Sequence, residues 1–335
     1  MILTPARATF GVATLGNLYT PMADEQARAI LDAVWAGGVR SFDTAPHYGL
    51  GLAERRLGDF LADVGSDGVR VTTKVGRLLR PNPDFAGELD DAAAFAVPAS
   101  MRRVYDTTAA GIRASLTESL QRLRLDRVAG LYLHDPDEYP DEAGSLNSGL
   151  EALAELRREG LVQEVGVGSK STQTLERTAA DPRASELMIA GRFTLVDHST
   201  LGRCLPLCLA RGARVVPAAV YGSGLLARPE PAGRYDYATA PPQIVEAARR
   251  IADVCRKHGT DLPTAALHYV ARHPSVTQVA FGARSPEQVR GTLERIANPP
   301  PEALWAELTA TGLAPDPAAA LPADAQSDAE SEAGR

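Results

Sequence analysis

Apolar strand-like segments and segments of helical spacing alternate eight times along this 335-residue chain. That alternation restricts the fold more than any single motif does. Strands are expected at Thr9–Ala13, Val39–Phe42, Val69–Val75 and Val128–Leu133. Further strands follow at Val162–Val167, Leu187–Ala190 (running on to Leu195 if the sixth is long), Arg214–Ala219 and Val276–Phe281. Between them lie helical stretches. In Asp24–Ala36, for example, Ala27, Ile30, Leu31, Val34 and Trp35 share one side, and Gly37-Gly38 closes the helix. Strands separated by helices pair in parallel as βαβ units. Eight such units over roughly 290 residues predict a closed (β/α)8 TIM barrel rather than an open doubly wound sheet. The expected organisation is one barrel domain over residues 1–313 with a disordered tail over 314–335, a segment of Ala, Pro, Asp, Ser and Glu with little to bury. Two stretches break the rhythm. Residues 76–105 carry Pro81, Pro83, Gly87 and Pro98, and residues 221–241 are rich in Gly, Pro and Tyr. Both read as long loops at the barrel mouth.

Composition narrows the partners. The formal net charge is -7 and there is no run of Lys or Arg, which argues against nucleic acid. No apolar run reaches the length of a membrane span, and the start lacks the order of a signal peptide. A soluble cytoplasmic protein without a membrane partner is expected. The three cysteines, Cys204, Cys208 and Cys255, are too few for a disulfide framework and lack the companions of a metal site. They read as buried or idle thiols.

In a barrel of this kind, functional side chains gather at the C-terminal ends of the strands. Asp43 follows the second strand, Lys74 lies in the third and His134 follows the fourth, while Tyr48 sits in the loop after Asp43. Each alone has a plain structural explanation: a turn aspartate, a surface lysine, a turn histidine, a packing tyrosine. Their joint placement at successive strand ends is what points to chemistry. A free phenol titrates near ~10 and is a poor acid at neutral pH. An ammonium beside it lowers that value, and a carboxylate holds the ammonium charged and oriented. Lys74 and Asp43 are expected in those two roles. His134 is expected to hydrogen-bond the substrate oxygen or help move the proton. The set contains no nucleophile and no metal ligands, so it suits a reaction whose hard step a cofactor performs, such as hydride transfer at a carbonyl carbon. His47, beside Tyr48, and His198, if the sixth strand runs long, are substrate-pocket candidates. His258, His268 and His273 read as structural or exposed.

At these residues the chain resembles the aldo-keto reductase superfamily, over residues ~9–297. The matching stretches are Phe42-Asp43-Thr44-Ala45-Pro46-His47-Tyr48-Gly49, Thr73-Lys74-Val75-Gly76-Arg77, and Glu118 to Leu123 leading to Leu133-His134-Asp135. Within it the chain is most similar to the D-threo-aldose 1-dehydrogenase (L-fucose/galactose dehydrogenase) group. Leu15 to Tyr19, Tyr48 to Glu54, Lys74 to Leu79 and Ser223-Gly224-Leu225-Leu226-Ala227 carry that likeness. The resemblance implies Tyr48 as proton donor or acceptor, with Lys74, Asp43 and His134 around it. It implies an extended nicotinamide cofactor, NADP or NAD, across the mouth. Ser169, or backbone, then meets the carboxamide where the family commonly has Ser-Asn. Arg192 stands near the place of a common glutamine, and Tyr221 is a candidate to stack on the ring. Ser223, Leu225, Gly282, Arg284, Gln288 and Thr292 complete the implied cofactor contacts. Gln288 replaces an arginine, and Thr292 an asparagine, common in NADP-specific members.

The leading expectation is therefore an NAD(P)-dependent oxidoreductase acting on a small carbonyl, alcohol or sugar lactol: an aldose dehydrogenase or an aldehyde/ketone reductase. The alternative is a non-catalytic nicotinamide-binding regulatory protein on the same fold, against which the full Tyr/Lys/Asp/His set argues. A metal-dependent hydrolase would need a His-x-His or carboxylate–His cluster at strand ends, which the sequence lacks. Oligomeric state and direction of reaction stay open at this level.

Overall fold

Eight short parallel strands make one sheet in the computed structural model, which describes residues 2–231, 233–236 and 238–319. They are β1 (Ala8–Gly11), β2 (Ser41–Asp43), β3 (Arg70–Val75), β4 (Val128–His134), β5 (Val162–Ser169), β6 (Glu186–Ala190), β7 (Arg214–Ala218) and β8 (Val279–Phe281). Neighbours run in the order β7-β6-β5-β4-β3-β2-β1-β8. Ring closure comes just before β8: Val215 N donates to Ser275 O at 2.9 Å, and Thr277 N to Val215 O at 3.1 Å. The chain thus forms the expected (β/α)8 barrel. The flanking helices are α1 (Asp24–Ala36), α2 (Leu52–Val64), α3 (Ala109–Leu123), α4 (Glu142–Arg158), α5 (Thr172–Ala180), α6 (Cys204–Arg211), α7 (Pro242–Lys257), α8 (Leu262–Ala271), α9 (Pro286–Ala297) and α10 (Glu302–Ala310). None of the described helices is long and apolar enough to cross a membrane.

Strand alternation decides what faces the barrel axis. Outward residues such as Phe42, Val71, Leu131, Leu133 and Val165 join the helices in one large apolar core. Inward residues are mixed. Tyr132, Met188, Val216 and Ala280 form a small apolar layer inside. Beneath it, the Tyr132 phenol donates to Glu186 at 2.5 Å, and Glu186 also meets Arg70 and Arg214. Thr9 bonds Ser41 at 2.8 Å in the same polar layer. Above the apolar layer, at the C-terminal strand ends, the inward positions are Asp43, Lys74 and His134.

Several local expectations are corrected. The stretch 76–105 is a pair of antiparallel hairpins: Arg77–Pro81 with Met101–Tyr105, and Leu89–Asp90 with Phe95–Pro98. Pro81 and Pro98 end their strands, where a missing N–H breaks no ladder, so the prolines masked the strands from a sequence reading. The sixth strand stops at Ala190 and does not reach Leu195. Helix α4 begins at Glu142, where Asp141 caps Gly144 N at 3.0 Å and offsets a run of poor helix formers. The first residues of the expected tail dock on the barrel: Ala314 is buried, Tyr269 donates to Pro315 O at 2.9 Å, and Arg272 pairs with Asp316 at 3.2 Å. The rest of that tail, from residue 320, lies outside the described residues. Cys204, Cys208 and Cys255 are free and buried, as expected of inert thiols.

Candidate active site

The site begins at the end of β2. Asp43 points inward, and the chain then turns through Thr44, Ala45 and Pro46, with Tyr48 N donating to Ala45 O at 3.1 Å. Gly49, Leu50 and Gly51 all take left-handed φ, 61°, 50° and 84°, which swings the chain into α2. Gly16 sits against this turn. A Cβ at Gly16 would lie 2.7 Å from the Tyr48 carbonyl carbon, and one at Gly49 would lie 2.3 Å from Gly16 O. Two glycines face to face therefore set the height of Tyr48. The sequence reading had Gly16 within the Leu15–Tyr19 stretch that carries the family likeness but gave it no structural role.

Lys74 Nζ is the hub. It reaches Asp43 Oδ2 at 2.6 Å, Tyr48 Oη at 3.0 Å and Thr44 O at 3.0 Å. Asp43 takes a second bond from Thr72 Oγ1 at 2.8 Å, which fixes the carboxylate. Lys74 and Asp43 are 3% and 6% exposed at their side chains, so little solvent screens the pair. Burial pulls the ammonium's pKa down, but Asp43 and Tyr48 more than offset it, and Lys74 is held charged. For Tyr48 the balance differs from the expectation. Burial raises the phenol's pKa and outweighs the lowering by Lys74, so the net direction is upward. The reason is depth: the small polar cluster lies among apolar walls, which disfavour phenolate.

Those walls come from the hairpins. Leu50, Leu79, Phe95 and Val97 form a second small core, against which Leu18, Tyr48 and Met101 pack. The His47 ring meets Phe95 edge-on at 5.4 Å and His134 at 5.3 Å, while Tyr48 stands 5.9 Å from His134. His134 and His47 are both held neutral. Burial is the main cause, helped by Arg77 and Arg103, and it takes His47 down to about 2. Thr44 Oγ1 and the Nδ1 atoms of His47 and His134 are buried without a partner among the described residues.

Four further polar residues belong here that the sequence reading did not assign. Thr72 is one. Arg103 forms a two-pronged pair with Asp90 at 2.8 and 2.6 Å and donates to His47 O at 2.9 Å, tying a hairpin to the Tyr48 loop. Arg77 holds Asp135 at 2.8 Å and Glu138 at 3.0 Å. Asp135 stands beside His134, and burial raises its pKa to about 6 despite Arg77. The sequence signal was faint: Arg77 and Asp135 flank the two strand-end residues, whereas Arg103 sits in a stretch read as loop.

The residues to which the resemblance assigns cofactor contacts are held as follows. Ser169 is buried at the end of β5, donating to Asp137 Oδ1 at 2.6 Å and accepting from Ser171 N at 2.8 Å. Arg192 donates to Lys170 O at 2.9 Å and pairs with Asp236 at 2.7 Å. Leu225 is fully buried, and Ser223 takes a left-handed φ of 57° in the turn before it. Tyr221 stands near the buried Thr292 of α9, and burial pushes its phenol up to about 12. Arg284 donates to Leu18 O at 2.6 Å and to the Thr20 hydroxyl, and Gln288 Oε1 accepts from Arg284 N at 2.7 Å. Gly282 is exposed and offers bare backbone. The exposed Gly282 backbone and the unpartnered Thr44 Oγ1, His47 Nδ1 and His134 Nδ1 are compatible with a bound nicotinamide cofactor. His198 is not brought to Tyr48. With β6 ending at Ala190, its ring turns to Tyr269 of α8 at 5.6 Å, and its Nε2 meets Leu195 O at 3.2 Å.

Residues 8–311 match the Aldo/keto reductase family. The chain is 42% identical over 311 residues to D-threo-aldose 1-dehydrogenase of a Pseudomonas species, covering 92% of this chain and 94% of that one. It is 33% identical over 326 residues to pyridoxal 4-dehydrogenase of Microbacterium luteolum, covering 93% and 95%. Among solved structures, glycerol dehydrogenase of Gluconobacter oxydans shares the fold with a TM-score of 0.71 at 20% identity, over 95% and 94% of the two chains. The holo form of an aldo-keto reductase from Bacillus halodurans does so with a TM-score of 0.70 at 23%, over 96% and 98%. With the barrel, the buried strand-end cluster and a sequence match across nearly its whole length, the chain belongs to the aldo/keto reductase family and is an NAD(P)-dependent oxidoreductase.

Proposed function

We propose that the protein oxidises aldoses at the anomeric carbon, with Tyr48 as the proton-transferring group and NAD as the preferred cofactor. The observation that carries this reading is the Lys74 ammonium, 3.0 Å from the Tyr48 phenol and 2.6 Å from Asp43 in a buried cluster. The bound nicotinamide supplies the hydride acceptor. Everything else falls to the protein. Tyr48 takes the lactol hydroxyl proton as the carbonyl forms, and returns it in the reverse direction. Lys74 favours the phenolate that the forward step requires, and Asp43 keeps Lys74 charged. His134, held neutral, shares the substrate oxygen with Tyr48. Such acid–base assistance contributes about 10²–10⁴ in rate.

The likeness to an aldose dehydrogenase and to a pyridoxal dehydrogenase supports a lactol substrate. Aldoses close to ring lactols, and pyridoxal closes to an internal hemiacetal, so both present the same reacting group. The preference for NAD rests on Arg284, whose guanidinium is already engaged by Leu18 O and Thr20, and on the uncharged Gln288. The test is nicotinamide reduction with NAD and NADP across L-fucose, D-arabinose, L-galactose and pyridoxal. Aldose turnover with NAD is expected, and Tyr48→Phe should abolish it while leaving cofactor binding intact. Turnover surviving in Tyr48→Phe would remove the tyrosine's role. NADP preference would overturn the cofactor assignment alone.

A further inference from the structure

The mechanism leaves Asp135 without a task, yet its geometry is specific. Its backbone is left-handed, with φ 42° and ψ 63°, a conformation that few residues other than glycine hold without local compensation. Asp135 N donates to Gly168 O at 2.9 Å, which continues the ladder between β4 and β5 and fixes the peptide. The side chain then turns back on its neighbour, placing Oδ2 3.3 Å from His134 Nε2. Arg77 grips the same oxygen at 2.8 Å and is itself nearly buried. No described residue hydrogen-bonds Asp135 Oδ1, and the side chain keeps 21% of its surface exposed. The charged and titratable groups around it are Arg77 and Lys74, which favour the carboxylate, and Glu138 and Asp137, which oppose it.

An ionised carboxylate accepts hydrogen bonds and donates none. Its Oδ2 lies 3.3 Å from Nε2 of His134, the residue read above as sharing the reacting oxygen, so the carboxylate borders the surroundings of the reacting carbon. The substrate group best suited to donate to it there is the hydroxyl on the carbon next to the reacting one. We propose that Asp135, oriented by Arg77, accepts a hydrogen bond from the hydroxyl next to the reacting carbon and so selects polyhydroxylated substrates over simple alcohols and aldehydes. The proposal rests on the aldose reading above and deepens it. A substrate lacking that hydroxyl leaves Oδ1 of a partly buried carboxylate without a donor, which is how a polar pocket rejects a deoxy analogue.

The experiment compares kcat/KM for an aldose, for its 2-deoxy analogue and for a simple aldehyde in the reducing direction. It uses the wild type, Asp135→Asn and Asp135→Ala, with cofactor binding by tryptophan fluorescence as the folding control. Wild type should prefer the aldose over its 2-deoxy analogue by at least about tenfold. Asp135→Ala should erase that preference, lowering kcat/KM for the aldose by at least about tenfold more than for the simple aldehyde. Asp135→Asn, which keeps the size and an acceptor oxygen toward Arg77, should fall between. Equal losses on all three substrates would mean that Asp135 only positions His134, and would overturn the proposal. So would a 2-deoxy preference that survives in Asp135→Ala. Wild type inactive on every aldose would instead refute the aldose reading, and this proposal with it.

Discussion

Replacing Lys74 by methionine tests the centre of the site through two independent readings. The side chain is similar in length, so packing changes little, but three donated hydrogen bonds vanish, to Asp43, Tyr48 and Thr44 O. Asp43 keeps only the Thr72 hydroxyl, at 2.8 Å, and is 4% exposed. Removing one member of a buried ion pair costs about 3–5 kcal/mol, chiefly because the other charge is left uncompensated. With an unfolding entropy of about 2.1 cal/mol/K per residue over roughly 310 residues, that cost is a drop of about 5–8 °C in Tm. Calorimetric melts of Lys74→Met at neutral pH should show it. The combined Asp43→Asn and Lys74→Met variant removes the stranded charge as well, and should melt above Lys74→Met alone. Turnover should fall about 10²–10⁴-fold in both, because neither restores the cation beside Tyr48. A single variant that melts within about 2 °C of wild type, or a double variant that melts lower still, would refute the picture of a buried, mutually neutralising pair.

Gly16→Ala puts a methyl group 2.7 Å from the Tyr48 carbonyl carbon, where only backbone can yield. A loss of about 1–3 kcal/mol in stability is expected, with kcat reduced at least about tenfold by displacement of Tyr48, read from melts and steady-state rates. Arg103→Met strands Asp90 and frees His47 O, so limited proteolysis should cut within residues 77–105 faster than in wild type, and stability should fall by about 2–3 kcal/mol. Acid should destabilise the fold. His47 is depressed to about 2, His273 to about 4 and His134 well below its ordinary value. Below about 6.5 the unfolded chain binds protons that these buried rings refuse, so stability present above that pH is lost as pH falls toward the folded values. Asp135 acts with the opposite sign between about 4 and 6, since its carboxyl is raised in the fold. A Tm that does not decline from pH 7 to pH 5 would contradict the assignment of the three rings as neutral.

The barrel was legible because its signals are periodic and local. Eight apolar strands and amphipathic helices each declare themselves within a short window, and α1 and α2 run Asp24–Ala36 and Leu52–Val64, as their apolar spacing predicts. The strand-end residues Asp43, Lys74 and His134 were legible for the same reason, since once the strands are placed, alternation and the barrel rule place them too. What the sequence could not decide was anything set by distant contacts. Prolines hid the hairpins in 76–105, whose pairing is fixed by register between residues some twenty positions apart. A tyrosine beside a lysine suggests a lowered phenol pKa, but only the apolar walls brought by Leu79, Phe95 and Val97 show that burial wins. Arg103 reaching His47 O, and Gly16 reaching Gly49, join segments whose proximity no local pattern encodes. The strands and their chemistry-bearing ends are written in local spacing. Solvent exclusion and the supports that fix Tyr48 arise only when the ring closes and the hairpins fold over its mouth.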